Sequence, residues 1–334
     1  MTPADRERLL ATIRGLRGRR VLVLADLVAD EFVYGRIERV SREAPVLILR
    51  HDGADVRLGG GANAVNNIRS LGGTPLPFGV VGRDAHGQKL RALLRARGID
   101  ARHVRVEAGY ATPVKSRILA GGAHSTKQQV VRIDRATSLA GRPGAARRMI
   151  AALRRFRGPL DGVLVSDYGF GLLTPAVVEA AIAFARRRRI PVTLDSRYAV
   201  TRFRGMTAVT PNEAEVEAAL GVTIGHDRAR LESAGRTLLR RLGTEAVLIT
   251  RGSDGMALFE KGRPPLHIPI HGSDQVADVT GAGDTVIATF TLALAAGASP
   301  ADAARLSNCA GGVVVMKRGT ATVSAAELRA AVRG

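Results

Sequence analysis

Short apolar runs alternate with amphipathic helical patterns along most of the chain, from Arg57 onward. The apolar runs predict strands at 21–24, 77–81, 162–165, 192–194, 208–210 and 246–249. Helices are predicted at 62–71 and 88–97, and an earlier one is indicated by the spacing of Leu9, Leu10, Ile13 and Leu16. Buried strands that alternate with helices are typical of a mostly parallel sheet covered by helices, so the pattern predicts an α/β fold.

Two segments depart from this pattern, at about 32–56 and 104–134. Their short β-like alternation, interrupted by turns, predicts a small β-sheet lid inserted into the main domain. The chain has no internal repeat, low-complexity tract or clear linker. We therefore expect one domain over residues 1–334, with the lid formed by these two segments.

Composition narrows the class of protein. With 334 residues and 46% hydrophobic residues, the chain can bury a substantial core. It has no apolar run of about 18 residues and no apolar signal-peptide segment near its start, so we expect a cytoplasmic protein without a membrane partner. Its lone cysteine, Cys309, excludes an internal disulfide and is expected to be buried.

The net charge of +20 raises the question of a nucleic-acid partner. Nearly all of the 50 basic residues are arginines, and they are scattered through every segment instead of forming one stripe. The chain has no tryptophan and only 4% aromatic residues, which leaves few side chains to stack on bases. We expect no specific nucleic-acid partner and only weak attraction to polyanions.

The most informative stretch is residues 278–285, which read DVTGAGDT and lead into an apolar helical pattern. Glycines permit close backbone approach, and the free N–H groups at a helix start bind anions. Asp284, at the edge of such a site, could take a proton from a hydroxyl while the N–H groups stabilise the phosphoryl group that it attacks. The stretch indicates phosphoryl transfer to an alcohol. The structural alternative is a glycine-rich turn whose aspartate caps the helix.

A second glycine-rich turn, residues 59–64, reads GGGANA and fits the G-x-G-x-x-A pattern of dinucleotide-binding proteins. Asp84 follows at about the distance at which such proteins bind the ribose. A nicotinamide-dependent dehydrogenase is therefore a distant alternative. The turn follows a β-like segment instead of opening the first βαβ unit, which counts against it, and a tight turn with Asn63 near a helix start explains the pattern equally.

Polar residues follow several of the predicted strands. Asn212 and Glu215 are spaced as a helix capping box, but Glu215 at a strand's carboxyl end could also organise a hydrated Mg²⁺ beside nucleotide phosphates. Residues 250–252 follow the next strand and would lie at the same edge, where open α/β sheets bind ligands. Asp26 and Asp30 follow the first strand, where a carboxylate either accepts hydrogen bonds from a polyol or caps a turn.

These motifs resemble those of the ribokinase-type (PfkB) family of carbohydrate kinases. Residues 278–284 match its C-terminal signature, and residues 212–215 match its N-x-x-E element. The N-terminal signature matches at Gly60, Gly61 and Asn63, with Gly72 and Gly82 at the expected spacings, and departs at Val65. The resemblance implies a ribokinase-like α/β fold with a β lid, a phosphotransferase that uses ATP and Mg²⁺, and a homodimer formed through the lid.

The resemblance also implies residue roles. Asp284 is implied as the general base, and N–H groups of Gly281, Ala282 and Gly283 as donors to the phosphoryl charge. Nucleotide contacts are implied for Asn212, Glu213, Ala214, Glu215, Thr250, Gly252 and Asn308. Sugar contacts are implied for Asp30, Gly60, Gly61, Asn63 and Asp195. Glu215 would organise Mg²⁺, and Asp278 and Thr280 would form a loop for a monovalent cation, K⁺.

Within the family, the chain is most similar to kinases of D-glycero-β-D-manno-heptose 7-phosphate. The similar stretches are residues 41–46, 128–134, 166–168, 278–285 and 319–324. The likeness implies phosphorylation of the anomeric hydroxyl of this sugar phosphate in ADP-heptose (lipopolysaccharide core) synthesis. The sequence lacks a nucleotidyltransferase half, so a stand-alone kinase is expected. Cations are expected to hold the acceptor's phosphate group, and the candidates are Lys115, Arg117, Arg132 and Arg197.

Three departures from the heptose kinase pattern bear on the acceptor. Ala25 stands in place of a glycine, Phe170 in place of a lysine, and Ser196-Arg197 in place of Pro-Lys. Because they lie near the expected sugar and phosphate sites, another sugar or sugar phosphate remains open as the acceptor. A noncatalytic sugar- or polyanion-binding protein is the third alternative, after the dehydrogenase.

Overall fold

Strands and helices alternate along the chain, for which the computed structural model describes residues 2–122, 127–198, 200–272 and 277–334. The strands are β1 (Arg20–Ala25), β2 (Leu27–Val40), β3 (Leu47–Gly60), β4 (Thr74–Gly82), β5 (Val104–Glu107), β6 (Val114–Gly121), β7 (Gln128–Arg135), β8 (Gly162–Asp167), β9 (Val192–Ser196), β10 (Ala208–Val209), β11 (Ala246–Thr250), β12 (Met256–Glu260) and β13 (Leu266–Ile268). The helices are α1 (Pro3–Gly15), α2 (Gly61–Ser70), α3 (Ala85–Ala96), α4 (Pro143–Arg155), α5 (Pro175–Arg188), α6 (Glu213–Leu220), α7 (Arg228–Leu242), α8 (Ala282–Ala295), α9 (Pro300–Val314) and α10 (Ala325–Arg333).

The larger sheet has the strand order β13-β12-β11-β10-β9-β8-β1-β4-β5. Its pairs are parallel from β11 to β5, and the hairpin of β12 and β13 adds antiparallel strands at one edge. β8 is buried along its whole length, as expected for a strand whose two faces are both covered by helices. The mostly parallel α/β sheet predicted from the sequence is confirmed.

Two hydrophobic layers cover the two faces of this sheet. Alternate residues of β1 point to opposite sides, so Val21 and Val23 join one layer while Leu22 and Leu24 join the other. The first layer includes residues of α1, α2, α8 and α9, and the second includes residues of α4, α5 and α7. α8 is almost entirely buried in the first layer, which explains why its sequence is apolar on all sides.

The lid is a separate four-stranded sheet with the order β3-β2-β6-β7. β2 pairs antiparallel with β3 and parallel with β6, and β6 pairs antiparallel with β7. The first lid segment was expected at about 32–56, but β2 begins earlier, at Leu27, and β3 ends later, at Gly60. Residues 104–107, which were expected in the lid, instead form β5 and pair with β4 in the larger sheet. The reason is that β5 is an edge strand, whose short alternation resembles that of a lid strand.

Within the described residues, no helix is both long and apolar enough to span a membrane. Cys309 is buried, and burial raises the pKa of its thiol to about 11. Its expected packing role is therefore consistent with its surroundings.

Candidate active site

The carboxyl edge of the parallel sheet collects polar residues from successive strands. Asp26 follows β1, Asp167 ends β8, and Asp195 lies near the end of β9. Asn212 follows β10 and pairs with Thr250 at the end of β11. The start of α8 faces this edge, and the lid extends beyond it through β2, so the sequence's candidate residues are brought to one place.

Asp284 lies in the first turn of α8, a helix that begins directly after Gly281. Gly281 has a φ of 78°, and a Cβ there would lie 2.5 Å from the Asn63 side-chain nitrogen. A glycine is required by both the left-handed backbone and the close approach of α2. This turn therefore places the Asp284 carboxylate against Asn63.

Both carboxylate oxygens of Asp284 accept hydrogen bonds. The Tyr168 hydroxyl donates to Oδ1 at 2.7 Å, and Asn63 Nδ2 donates to Oδ2 at 3.1 Å. Asp284 is 3% exposed, and its burial raises its pKa to about 6, although the two hydrogen bonds favour the ionised form. The carboxylate is therefore ionised at neutral pH and is a stronger base than an ordinary aspartate, as proton abstraction from a hydroxyl requires.

The backbone N–H groups at this helix start are in part available to an anion. In the part of the chain that the structure describes, the N–H groups of Gly281 and Gly283 have no protein acceptor. The Ala282 N–H instead donates to the Val279 carbonyl at 3.2 Å. Of the three expected donors, Gly281 and Gly283 fit that role directly, and Ala282 would first have to leave its turn.

Tyr168 is a site residue that the sequence reasoning did not assign. Its ring lies between two cations, with Lys115 Nζ 5.0 Å and Arg197 Cζ 4.8 Å from its centroid. Burial and the Asp284 charge raise the Tyr168 pKa well above its usual value, so the phenol remains a neutral donor to Asp284. Its position directly after β8, at the carboxyl edge of a parallel sheet, was the available signal.

Asp30 lies on the lid strand β2 and is held by two side chains. Arg117 donates to Oδ1 at 2.6 Å, and the Thr320 hydroxyl donates to Oδ2 at 2.6 Å. A Cβ at Gly59 would lie 2.5 Å from the Asp30 carboxylate, so the neighbouring glycine turn makes room for this group. Gly60 and Gly61 continue that turn, and Asn63 follows on α2, so four of the five residues with implied sugar contacts border one space, while Asp195 lies on β9.

The turn at residues 59–64 is not the opening of a dinucleotide-binding βαβ unit. It connects β3, an antiparallel lid strand, to α2. Asp84 caps α3, accepting from the Gly87 N–H at 2.7 Å, and also accepts from the Thr112 N–H at 2.7 Å. Because these backbone groups occupy the Asp84 carboxylate, the structure does not support the dehydrogenase alternative.

Asn212 and Glu215 form the capping box that their spacing indicated. The Asn212 side chain accepts from the Glu215 N–H at 2.8 Å, and Glu215 Oε2 accepts from the Asn212 N–H at 3.0 Å. Burial raises the pKa of Glu215. Burial and the charges of Glu215 and Asp284 raise the pKa of Asp195 well above its usual range.

The crowding of Asp195 and Glu215 fits a divalent cation, which would relieve the repulsion between their carboxylates. Among the described residues, no group of three or more His, Cys, Asp or Glu side chains could hold a metal ion by itself. The donor set therefore fits a hydrated Mg²⁺ that is bound mainly by nucleotide phosphates, with carboxylates nearby.

The remaining expected nucleotide residues lie around the same edge. Glu213 accepts from Arg251 Nε at 2.6 Å, and Ala214 is exposed on the first turn of α6. Gly252 opens a short 3₁₀ turn after β11. Asn308 on α9 donates to the Pro269 carbonyl at 2.8 Å. Glu213 and Asn308 are thus engaged in protein contacts, and nucleotide contacts by Ala214 and Gly252 stay predictions.

Asp278 joins two loops. Its carboxylate accepts from the Thr280 N–H at 2.9 Å and from the Gly319 N–H at 2.8 Å. The contacts give Asp278 a structural role in shaping the turn before α8. A monovalent-cation site at Asp278 and Thr280 stays a prediction.

The four expected phosphate-binding cations separate into two pairs. Lys115 and Arg197 flank Tyr168 beside the Asp284 carboxylate, and burial and the Arg197 charge lower the pKa of Lys115. Arg117 instead holds Asp30, and Arg132 donates to Asp134 at 2.9 Å and 3.1 Å. The two pairs therefore face different parts of the site.

The departures from the family pattern have structural explanations in two places. Ala25 packs closely on the turn, because its Cβ lies 2.4 Å from where a Cβ of Gly61 would be. Phe170 contributes its backbone N–H, which donates to Asp26 at 3.1 Å beside the Tyr168 N–H at 3.0 Å. Burial and the Asp167 charge raise the pKa of Asp26 to about 7, and its contacts show that it shapes the loop after β8.

Comparison with known proteins bears on both the family and the fold. The family described as pfkB family carbohydrate kinase matches residues 27–327. The chain is 40% identical over 329 residues to the bifunctional protein HldE of Pelobacter propionicus, covering 98% of this chain and 66% of that protein. It is 42% identical over 310 residues to the bifunctional protein HldE of Geobacter sulfurreducens, covering 92% of this chain and 61% of that protein. The chain thus spans less than two thirds of the length of these relatives.

Solved structures share its architecture. A ribokinase from Arabidopsis thaliana, complexed with ribose and ATP, matches with a TM-score of 0.73 at 20% identity, covering 95% of this chain and 99% of that one. Phosphofructokinase-2 from Escherichia coli, in complex with potassium, matches with a TM-score of 0.72 at 18% identity, covering 95% and 98%. These similarities show a ribokinase-like fold.

Proposed function

The chain belongs to the pfkB family of carbohydrate kinases, phosphotransferases that act on a sugar hydroxyl, and from this premise we propose that its substrates are ATP and D-glycero-β-D-manno-heptose 7-phosphate. The product is the 1,7-bisphosphate, an intermediate for ADP-heptose. Identity of about 40% to two HldE proteins supports this choice of acceptor. The observation that carries the reaction type is the buried carboxylate of Asp284 at the glycine-rich start of α8, beside the Gly281 and Gly283 N–H groups, which have no acceptor among the described residues.

The chemistry follows from this arrangement. Asp284 accepts the proton of the anomeric hydroxyl, whose oxygen forms a bond to the γ-phosphorus of ATP. The bond from that phosphorus to the oxygen bridging the β-phosphate breaks, and ADP leaves. The Gly281 and Gly283 N–H groups and the Arg197 guanidinium stabilise the charge on the transferring group. Tyr168 and Asn63 keep the carboxylate aimed at the acceptor.

The acceptor and the nucleotide approach Asp284 from two sides. Asp30 and Asn63 bind sugar hydroxyls on the lid side, while residues 212–215, Thr250 and Gly252 bind the nucleotide on the other. Mg²⁺ would neutralise phosphate charge near Glu215 and Asp195. K⁺ at Asp278 and Thr280 is a further proposal, which rests on the resemblance of that loop to the family's cation loop.

The outer face of the lid supports a homodimer. Val131 and Ile133 on β7 are 48% and 51% exposed, which leaves an apolar strip on a sheet face that points away from the active site. A second copy of the lid would cover this strip and shield it from water. Sedimentation of the wild type and of Ile133→Arg tests this: the proposal requires a dimer that the substitution dissociates, and a monomeric wild type contradicts it.

The function is tested by measuring ADP release from ATP and Mg²⁺ with a panel of acceptors. The panel contains heptose 7-phosphate, free heptose, ribose, fructose and fructose 6-phosphate. We expect the highest kcat/KM with heptose 7-phosphate. Efficient turnover of another sugar, with none on the heptose phosphate, would replace the acceptor and leave the kinase assignment in place. Absence of ADP release with every sugar would contradict the kinase itself.

A further inference from the structure

A large cavity lies between the inner face of the lid and two loops of the main domain. Its volume is about 970 Å³. On the lid it is lined by residues of β2, β3, β6 and β7, and on the main domain by residues 277–280 and 318–319. Among the described residues, its lining comes from this lid face and these loops, so the cavity is distinct from the nucleotide edge formed by β10, β11 and α9.

The lining is strongly cationic. Within the described part of the chain, the basic residues that line it are Arg57, Arg117, Lys127, Arg132 and Arg318, and the acidic residue is Asp278. Asp278 already accepts two backbone hydrogen bonds, which reduces its need for a cation. Asp55, Asp52 and Asp134 pair with Arg57, Lys127 and Arg132, and the buried Asp30 pairs with Arg117. The three pairs that are exposed to water are weak, and a phosphate dianion can compete with them.

Aromatic rings of β2 lie against three of these cations and orient them. The guanidinium groups of Arg57 and Arg117 lie 4.8 Å and 5.4 Å from the centre of the Phe32 ring, and Lys127 Nζ lies 5.7 Å from that of Tyr34. Such stacking orients a cation without neutralising its charge. Arg57 also donates to the Arg318 carbonyl at 3.2 Å, which joins the two walls of the cavity. Its positive charge is therefore preorganised.

The cavity adjoins the acceptor side of the active site at two points. Arg117 lines the cavity and donates to Asp30, and Thr280 lines it one residue before Gly281. A sugar whose reacting hydroxyl lies at Asp284 and whose other hydroxyls contact Asp30 would extend its far end into this space. Lys115 and Arg197 cannot serve that far end, because they flank Tyr168 next to the reacting hydroxyl.

We propose that this cavity binds the phosphate group that the acceptor sugar already carries, and that Arg132 and Arg318 bind it directly with Arg117. The assignment rests on the proposed function and deepens it: the substrate class is a sugar phosphate whose phosphate lies at the end opposite the reacting hydroxyl. Arginine suits this role because its planar guanidinium can make two parallel hydrogen bonds to phosphate oxygens.

The test compares Arg132→Ala and Arg318→Ala with the wild type. The measured quantity is the ratio of kcat/KM for heptose 7-phosphate to kcat/KM for free heptose. Each substitution should lower this ratio by about tenfold to a hundredfold, the effect of losing one charge-assisted hydrogen bond. Arg135→Ala is the matched control, since Arg135 lies on the same strand but contacts Glu31 and Ser116 on the opposite face. It should leave the ratio unchanged.

Calorimetric binding of heptose 7-phosphate without ATP separates this inference from the proposed function. Weaker binding by Arg132→Ala and Arg318→Ala, with Arg135→Ala as wild type, supports the cavity assignment even if ADP release fails. Unchanged affinity and an unchanged ratio in both variants overturn it while leaving the kinase in place. An equal loss with both acceptors, or a wild type that does not bind the sugar phosphate, also overturns it.

Discussion

Asp284 should give the enzyme an acidic limb in its pH profile that lies well above the range of an ordinary aspartate. Its pKa is raised from 3.8 to about 6, mainly by burial. Only the ionised carboxylate can accept the hydroxyl proton, so kcat/KM should fall tenfold per pH unit below about 6. At pH 5 about one tenth of the enzyme would be ionised, whereas a carboxyl with pKa 3.8 would still be almost fully ionised.

The same shift in the pKa of Asp284 makes the stability of the protein depend on pH. The folded protein holds a proton on Asp284 more tightly than the unfolded chain, so folding loses stability as pH rises from about 4 to 6. The shift is slightly more than two pKa units, which corresponds to a cost on the order of 3 kcal/mol above that window. Asp284→Asn removes the buried charge. It should lower kcat by about 10²-fold or more, yet unfold at the same or a higher temperature at pH 8.

The assay is a coupled measurement of ADP release between pH 4.5 and 8.5 for the wild type and Asp284→Asn, with thermal unfolding of both. The acidic limb should have a midpoint near pH 6 in the wild type and be absent from the residual activity of the variant. A limb centred near pH 4 would refute the reasoning on burial. Near-normal turnover in the variant would remove Asp284 from its role as base.

Three further predictions follow from the same contacts. Tyr168→Phe removes one donor to Asp284, so the midpoint of the acidic limb should move to higher pH; an unmoved midpoint would show that this hydrogen bond does not tune the base. Glu215→Gln should raise the Mg²⁺ concentration needed for half-maximal rate, since a hard cation prefers anionic oxygens; a change in thermal stability alone would leave only the capping role. Gly281→Ala should destabilise the protein by about 1–2 kcal/mol or more in urea unfolding, because alanine is strained at φ 78° and would clash with Asn63. An unaffected unfolding midpoint would show that this turn can rearrange.

Features that depend on local sequence were predictable. The strands at 21–24 and 162–165 and the helix at 62–71 follow from apolar runs and periodicity, and each lies within or overlaps an observed element. The role of Gly281 before Asp284 also follows from local chemistry, since a helix start with glycines is recognisable without tertiary structure. The fold class and the kinase family were thus predicted from the sequence.

Contacts between distant residues were not predictable. Tyr168 reaches Asp284 from a position 116 residues away, so no local pattern links the two. Lys115 and Arg117 lie two residues apart on β6, yet Lys115 contacts the Tyr168 ring and Arg117 contacts the Phe32 ring. These different contacts arise only in the folded lid. β5 was assigned to the lid because an edge strand of the main sheet and a lid strand have the same short alternation.

The central claim is that this chain phosphorylates the anomeric hydroxyl of a heptose 7-phosphate. The most direct measurement is ³¹P NMR of the purified protein with ATP, Mg²⁺ and heptose 7-phosphate. We predict that the γ-phosphate resonance of ATP is replaced by that of an anomeric phosphate, with the 7-phosphate retained and no product formed by Asp284→Asn over the same time. Unchanged ATP and acceptor resonances, or phosphate transfer to a hydroxyl other than the anomeric one, would contradict it.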